Sequence, residues 1–84
     1  MNTQQRLRDE HSVRLAVGLT GYALQIPAEL ILSSAERDHR IVRARQVAMY
    51  LSHIGLGMSL ARVASALGRD RSTVAHACHR IEDM

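Results

Sequence analysis

Residues Ser59–Asp83 read SLARVASALGRDRSTVAHACHRIED, and this stretch decides the fold. Apolar residues recur at i, i+3, i+4 and i+7 on both sides of Gly68: Leu60, Val63, Ala64 and Leu67 before it, Val74, Ala77, Cys78 and Ile81 after it. At about 3.6 residues per turn each set falls on one face of a helix, so each helix can bury one stripe. The connection Gly68-Arg69-Asp70-Arg71 is short and opens with the residue that takes up positive φ without steric penalty. Two closely crossing helices need a small residue at the crossing, a glycine one turn later, and a branched apolar residue after the first turn of the second helix. Ala64, Gly68 and Val74 meet the three requirements, which is the pattern of a helix-turn-helix. The same stripes would also fit an ordinary helical hairpin in a small bundle.

What the second helix carries on its other face points to a ligand. With Val74, Ala77, Cys78 and Ile81 turned inward, Ser72, Thr73, His76, His79 and Arg80 face outward, and Arg69 and Arg71 stand at the N-terminus. A recognition helix presents its N-terminal residues to base edges in the major groove. Arginine there reaches guanine O6 and N7, and Ser or Thr reaches phosphates and thymine methyls. Asp70 can cap the helix through backbone N–H groups or accept from cytosine N4, and capping is the expected role.

Charge supports a polyanionic partner. The 84 residues carry a net charge of +3, but the sign is unevenly spread. Residues 1–39 hold four arginines against five acids, whereas residues 40–80 hold seven arginines against Asp70 alone. Such an asymmetry is the footprint of nucleic-acid binding. All eleven basic residues are arginine, the side chain suited to bidentate contacts with phosphate and guanine.

The chain is long enough for one small domain, residues 1–84, whose core must come from Leu, Ile, Val, Ala and Met because Tyr22 and Tyr50 are the only aromatics. Cys78, the single cysteine, lies on an apolar stripe and reads as a buried thiol in a reducing compartment. No run is apolar and long enough to span a membrane, and MNTQQRLRDEH lacks a secretory apolar region. A cytoplasmic, nucleoid-associated protein is expected.

Upstream, the pattern predicts a helix over residues 4–20, its charged front turn exposed, either packed on the helix-turn-helix or partly free. Gly18 and Gly21 weaken its end, and Tyr22, Leu24 and Ile26 read as an apolar connection. Pro27 suits a first helical position and begins about two turns ending at Ser33-Ser34. Residues 33–40 read as a polar loop. Ile41, Ala44, Val47, Ala48, Leu51 and Ile54 then predict a long central helix over residues 40–54, stopped by Gly55 and Gly57, with Ser59 capping the next. No strand pattern, repeat or low-complexity tract occurs, so the expected fold is all-α with about five helices.

Two blocks carry a resemblance. Arg43-Ala44-Arg45-Gln46-Val47-Ala48-Met49-Tyr50-Leu51, followed by Ser59-Leu60 and then Gly68-Arg69-Asp70-Arg71-Ser72-Thr73-Val74-Ala75-His76-Ala77-Cys78, resembles the C-terminal DNA-binding domain of the bacterial replication initiator family DnaA. The resemblance covers roughly residues 12–82 and implies an all-α, TrpR-like domain whose helix-turn-helix reads the major groove of a nine-base-pair box, with a basic residue at the start of the long helix in the adjacent minor groove. Carried over by position, it implies Arg45 as the minor-groove residue, Arg40 and Arg43 as phosphate contacts, and Asp70, Ser72, Thr73 and His76 as contacts to bases and phosphates. The sequence departs from the family pattern in having one glycine, not two, before Arg69-Asp70, and Arg71 where the family has histidine. An arginine there favours a guanine at one position of the target.

These features exclude other functions. The chain has no lysine, so it lacks the G-x-x-x-x-G-K-[ST] loop of the family's motor domain and is expected to work as a free-standing box reader without ATPase activity. His76 and His79 share a helical face that Cys78 does not, which argues against a metal site, and no catalytic constellation is present. No cofactor is expected. The expected partner is double-stranded DNA, with proteins of the replication or transcription machinery as further candidates, and the expected role is control of replication initiation or transcription. The alternative is a helical module that keeps the fold but binds a protein; the basic bias of residues 40–80 favours DNA.

Overall fold

The first helix, α1, spans Thr3–Leu24 and so runs on past the two glycines expected to weaken its end. Burial outweighs propensity here: each glycine costs a helix about 1 kcal/mol relative to alanine, but Val13, Ala16, Val17, Thr20 and Gly21 are all buried against the rest of the fold. The residues read as a connection are therefore partly helical, and Tyr22 is left 83% exposed. The helix stops at Gln25, which adopts the left-handed conformation at φ 60°, and the Ile26 N–H bonds back to the Gly21 carbonyl at 2.9 Å. This reversal explains Gly21, since a Cβ there would lie 2.6 Å from the Ile26 carbonyl oxygen. Gly18 has open space around it and no such reason.

The computed structural model describes residues 2–84 as five α-helices and one π-helical turn. After α1 come α2 (Ala28–Leu32), with Pro27 at its cap, and α3 (His39–Tyr50), which continues into a π-helical turn at Leu51–Gly55. Asp38 starts α3 by accepting the Arg40 N–H at 2.8 Å. The helix-turn-helix follows as α4 (Leu60–Leu67) and α5 (Arg71–Glu82). Ser59 caps α4 by accepting the Arg62 N–H, and Gly68 ends it in the left-handed conformation at φ 66°. Helix α3 is the scaffold: α1 and α5 both pack on it, and α4 bridges α1 and α5. The core joins Val13 and Val17 of α1 and Ile31 of α2 to Ala44, Ala48 and Met49 of α3, and to Val63, Val74 and Ala77 of the last two helices.

The buried face of α3 is rotated from the one the periodicity suggested. Ala44 and Ala48 are buried as expected, but Arg45, Met49 and Ser52 complete the face, while Ile54 is 54% exposed beyond the change in helical pitch.

The charged front of α1 is not all at the surface either. Asp9 is 2% exposed and accepts from Arg62 through both carboxylate oxygens: Nε lies 3.0 Å from Oδ2 and Nη2 lies 2.5 Å from Oδ1, with Gln5 Nε2 donating a further bond at 3.2 Å. This clasp fixes the N-terminal half of α1 to the first turn of α4. Hydrogen bonds from Arg62 hold the Asp9 carboxyl below the usual carboxylate range, against the opposing effect of burial. Because folding lowers this pKa, the stabilisation is present at neutral pH and fades as pH falls through the carboxylate range.

Arg62→Ala strands a buried carboxylate, and its melting temperature is expected to fall by several degrees at pH 7, with the gap to wild type narrowing below about pH 4. An equal gap at both pH values in thermal melts would refute the role of the pair. The two glycines are expected to respond oppositely to alanine: Gly21→Ala lowers the melting temperature, whereas Gly18→Ala raises stability by about 0.5–1 kcal/mol.

Candidate nucleic-acid interface

Helix α5 presents one polar face. Val74, Ala77 and Cys78 are buried, while Arg71, Ser72, Thr73, His76, His79 and Arg80 are all exposed. Burial, and then the charge of Glu82, raise the pKa of the Cys78 thiol within this inward anchor. Between α5 and α3 lies a notch of about 120 Å³ whose polar lining includes Gln46, Arg69, Thr73 and His76. Gln46 and Arg69 thus join the face read from α5 alone.

Asp70 departs from its expected capping role. It occupies the N-cap position of α5 and its carbonyl accepts from Thr73 and Val74 at 3.1 and 3.3 Å, but its side chain makes no capping hydrogen bond. The carboxylate is exposed at the head of α5.

Arg45, for which the resemblance implied a minor-groove contact, also lines the notch between α5 and α3. It is 8% exposed, and its guanidinium points into the protein: Nε donates to the Ile31 carbonyl at 2.8 Å, and Nη2 donates to the carbonyls of Leu30, at 3.3 Å, and Ser33. These carbonyls are left over at the end of α2, where a helix has no partners of its own for its last acceptors. Burial, and then the nearby charge of Arg69, depress the Arg45 pKa. The Arg45 guanidinium is thus an architectural clamp. Its place on α3 was the available signal, because position 45 falls four residues after Ile41 and four before Met49, within the inward stripe.

Arg69 works beside it. From the turn of the helix-turn-helix its Nη2 reaches the same Ser33 carbonyl at 3.4 Å, so the start of the loop 33–38 is tied to the turn by Arg69 and to α3 by Arg45. That loop carries Arg37, which is exposed and lies two residues before α3. Sequence reasoning did not single it out.

Arg40 and Arg43 sit one turn apart near the start of α3. Arg40 is exposed with one N–H 3.4 Å from the Leu24 carbonyl, and Arg43 rests against the Met84 sulfur. With His39, Leu24 and Ile26 they line an open depression of about 410 Å³. Among the described residues no group of three His, Cys, Asp or Glu side chains is arranged to hold a metal ion, and no helix is long and apolar enough to cross a membrane.

A helix-turn-helix with a polar, arginine-flanked second helix defines a DNA-binding domain. The chain belongs to the bacterial DnaA C-terminal helix-turn-helix family: the family model described as the bacterial dnaA protein helix-turn-helix matches residues 20–81. Among similar proteins, the chromosomal replication initiator protein DnaA of Mesorhizobium japonicum is 46% identical over 54 residues, 63% of this chain and 11% of its own length. DnaA of Flavobacterium psychrophilum is 38% identical over 55 residues, 64% of this chain and 12% of its own. The Streptococcus thermophilus protein is 43% identical over 54 residues, with 63% and 12% covered. The chain therefore spans about one-ninth of the length of these relatives. No solved structure gives a significant match.

Arg45→Ala is expected to destabilise the domain by on the order of 2–3 kcal/mol, because it strips donors from several inward-facing carbonyls at once. Arg45→Lys should recover only part, since one ammonium cannot reproduce the planar fork. Urea unfolding followed by circular dichroism measures both, and wild-type stability in Arg45→Ala would refute the clamp.

Proposed function

We propose that the domain binds double-stranded DNA sequence-specifically at a DnaA-box-like site and so modulates replication initiation or transcription, without an ATPase activity of its own. The observation that carries this reading is the exposed face of α5, where Ser72, Thr73 and His76 follow Arg71 and the Asp70 carboxylate, free of any capping bond, at the helix head. In this arrangement α5 lies in the major groove, with Arg71 reading guanine and Ser72 and Thr73 touching phosphate or a thymine methyl. Asp70 accepts from a cytosine amine or lies beside a base edge. Arg40, Arg43 and Arg80 meet phosphates, and Arg69 shares its guanidinium between Ser33 and the backbone of the DNA.

A minor-groove contact by Arg45 requires its guanidinium to leave the carbonyls of Leu30, Ile31 and Ser33, and a second candidate for that contact is Arg37. It is the exposed arginine just before the long helix, on a loop fastened to the turn that begins α5. An exposed arginine there suits a narrow groove of strong negative potential. The basic bias over residues 40–80 supports DNA over a protein partner.

Selection of bound duplexes from random sequence tests the reading: enrichment of an initiator-like box supports it, with a guanine expected where Arg71 replaces histidine, and absence of any enriched motif would sink it. Arg37→Ala is expected to weaken specific binding by about 1–3 kcal/mol with an unchanged melting temperature. With about five phosphate contacts, log affinity should fall with log salt at a slope near −4.5.

A further inference from the structure

The depression at the head of α3 joins an apolar floor to a cationic rim. The floor is Leu24, 40% exposed at the end of α1, and Ile26, just past the left-handed reversal at Gln25. The rim is His39, Arg40 and Arg43, on the first turns of α3. Among the described residues neither arginine pairs with a carboxylate. Asp38, the nearest acid in sequence to Arg40, accepts from its backbone N–H and not from its guanidinium. The Arg40 guanidinium reaches only the Leu24 carbonyl, at 3.4 Å, and Arg43 rests on the Met84 sulfur. Positive charge without a counter-charge thus stands beside apolar surface open to water.

Duplex DNA answers only half of this chemistry. Its phosphates meet arginine, but its backbone carries nothing bulky and apolar to cover Leu24 and Ile26. A small molecule answers it no better. The volume of about 410 Å³ falls within the range of ligand clefts, yet such clefts enclose most of their ligand, whereas this depression lies open on the surface.

We propose that this depression docks an acidic segment of a partner protein, with a bulky apolar side chain seated on Leu24 and Ile26 and flanking carboxylates paired with Arg40 and Arg43. The two arginines are three residues apart, neighbours on one helix face, so carboxylates close together in the segment reach both. Each guanidinium binds a carboxylate through two parallel hydrogen bonds, which a point charge cannot do. The apolar anchor adds discrimination, because an acidic segment without one leaves Leu24 wet. The same arginines meet phosphates in the DNA-bound arrangement, so segment and duplex exclude one another there. That exclusion rests on the proposed function, whereas the docking does not.

The test follows amide chemical shifts of the isotope-labelled full chain, without DNA, as a blocked peptide is added in which a pair of leucines is flanked on each side by glutamates. Shifts are expected at Leu24, Ile26, His39, Arg40 and Arg43, with a dissociation constant of about 1 mM or tighter that rises with salt. Replacing the peptide's leucines with serine is expected to weaken binding about tenfold, and Leu24→Ser in the chain about fivefold, with an unchanged circular dichroism spectrum. Arg43→Ala is expected to weaken it as well. A serine peptide that binds as tightly as the leucine one reduces the contact to charge alone and overturns the proposal. So does wild-type peptide affinity in Leu24→Ser, or an absence of shifts at these residues, whether or not phosphatidylglycerol vesicles move them instead. If the duplex selection fails while the peptide binds, the reading of α5 falls and the docking stands.

Discussion

The fold depends on where one guanidinium puts its protons. Arg45 is charged and almost wholly buried, a placement that costs free energy unless its donors are met. They are met by Leu30, Ile31 and Ser33, the carbonyls that a five-residue helix leaves unpaired at its end. Each side thus supplies what the other lacks. The short helix α2 could not persist alone at this length, yet it is pinned to the scaffold helix by a side chain from that scaffold. The loop beyond it is held in turn, and Arg69 extends the same attachment to the turn between α4 and α5. The buried guanidinium of α3 and the turn of the helix-turn-helix are therefore joined through the carbonyl of Ser33.

Much of this was legible in the sequence because it is local. The helix-turn-helix was readable from two stripes, a glycine and a branched residue, all within 25 positions, and the Ser59 and Gly68 caps act over a single turn. The outward face of α5 follows from the same periodicity that defines its inward one. What escaped reading is non-local. Asp9 and Arg62 lie 53 residues apart, and nothing near either announces the other. Arg45 looks like any surface arginine until α2 is placed beside it, although its position within the apolar stripe was a usable hint. The run of α1 through Gly21 depends on the Ile26 carbonyl folding back over it, a contact that helix propensity does not contain. Asp70 stands where a capping residue stands, and only the geometry shows that its carboxylate does not cap.

Membership of the DnaA helix-turn-helix family sets the frame within which the departures acquire meaning. With one glycine before Arg69, the turn closes through the Arg69 N–H on the Ala64 carbonyl at 2.9 Å, a well-formed helix end. The loss of a glycine has not loosened the turn. Arg71, placed at the first position of α5 and exposed, is the departure that alters chemistry rather than architecture.

The uncapped start of α5 has a further consequence. The first turn of any helix offers N–H groups without acceptors, together with the positive end of the helix dipole. Most helices satisfy these from their own N-cap side chain, as α1, α3 and α4 do here through Asn2, Asp38 and Ser59. Helix α5 alone of the long helices leaves that position chemically unfinished. The start of α5 therefore gains nothing from a side-chain cap and depends on the packing of Val74, Ala77 and Cys78 to hold its first turn. A substitution in that apolar stripe would thus be felt first at the helix head.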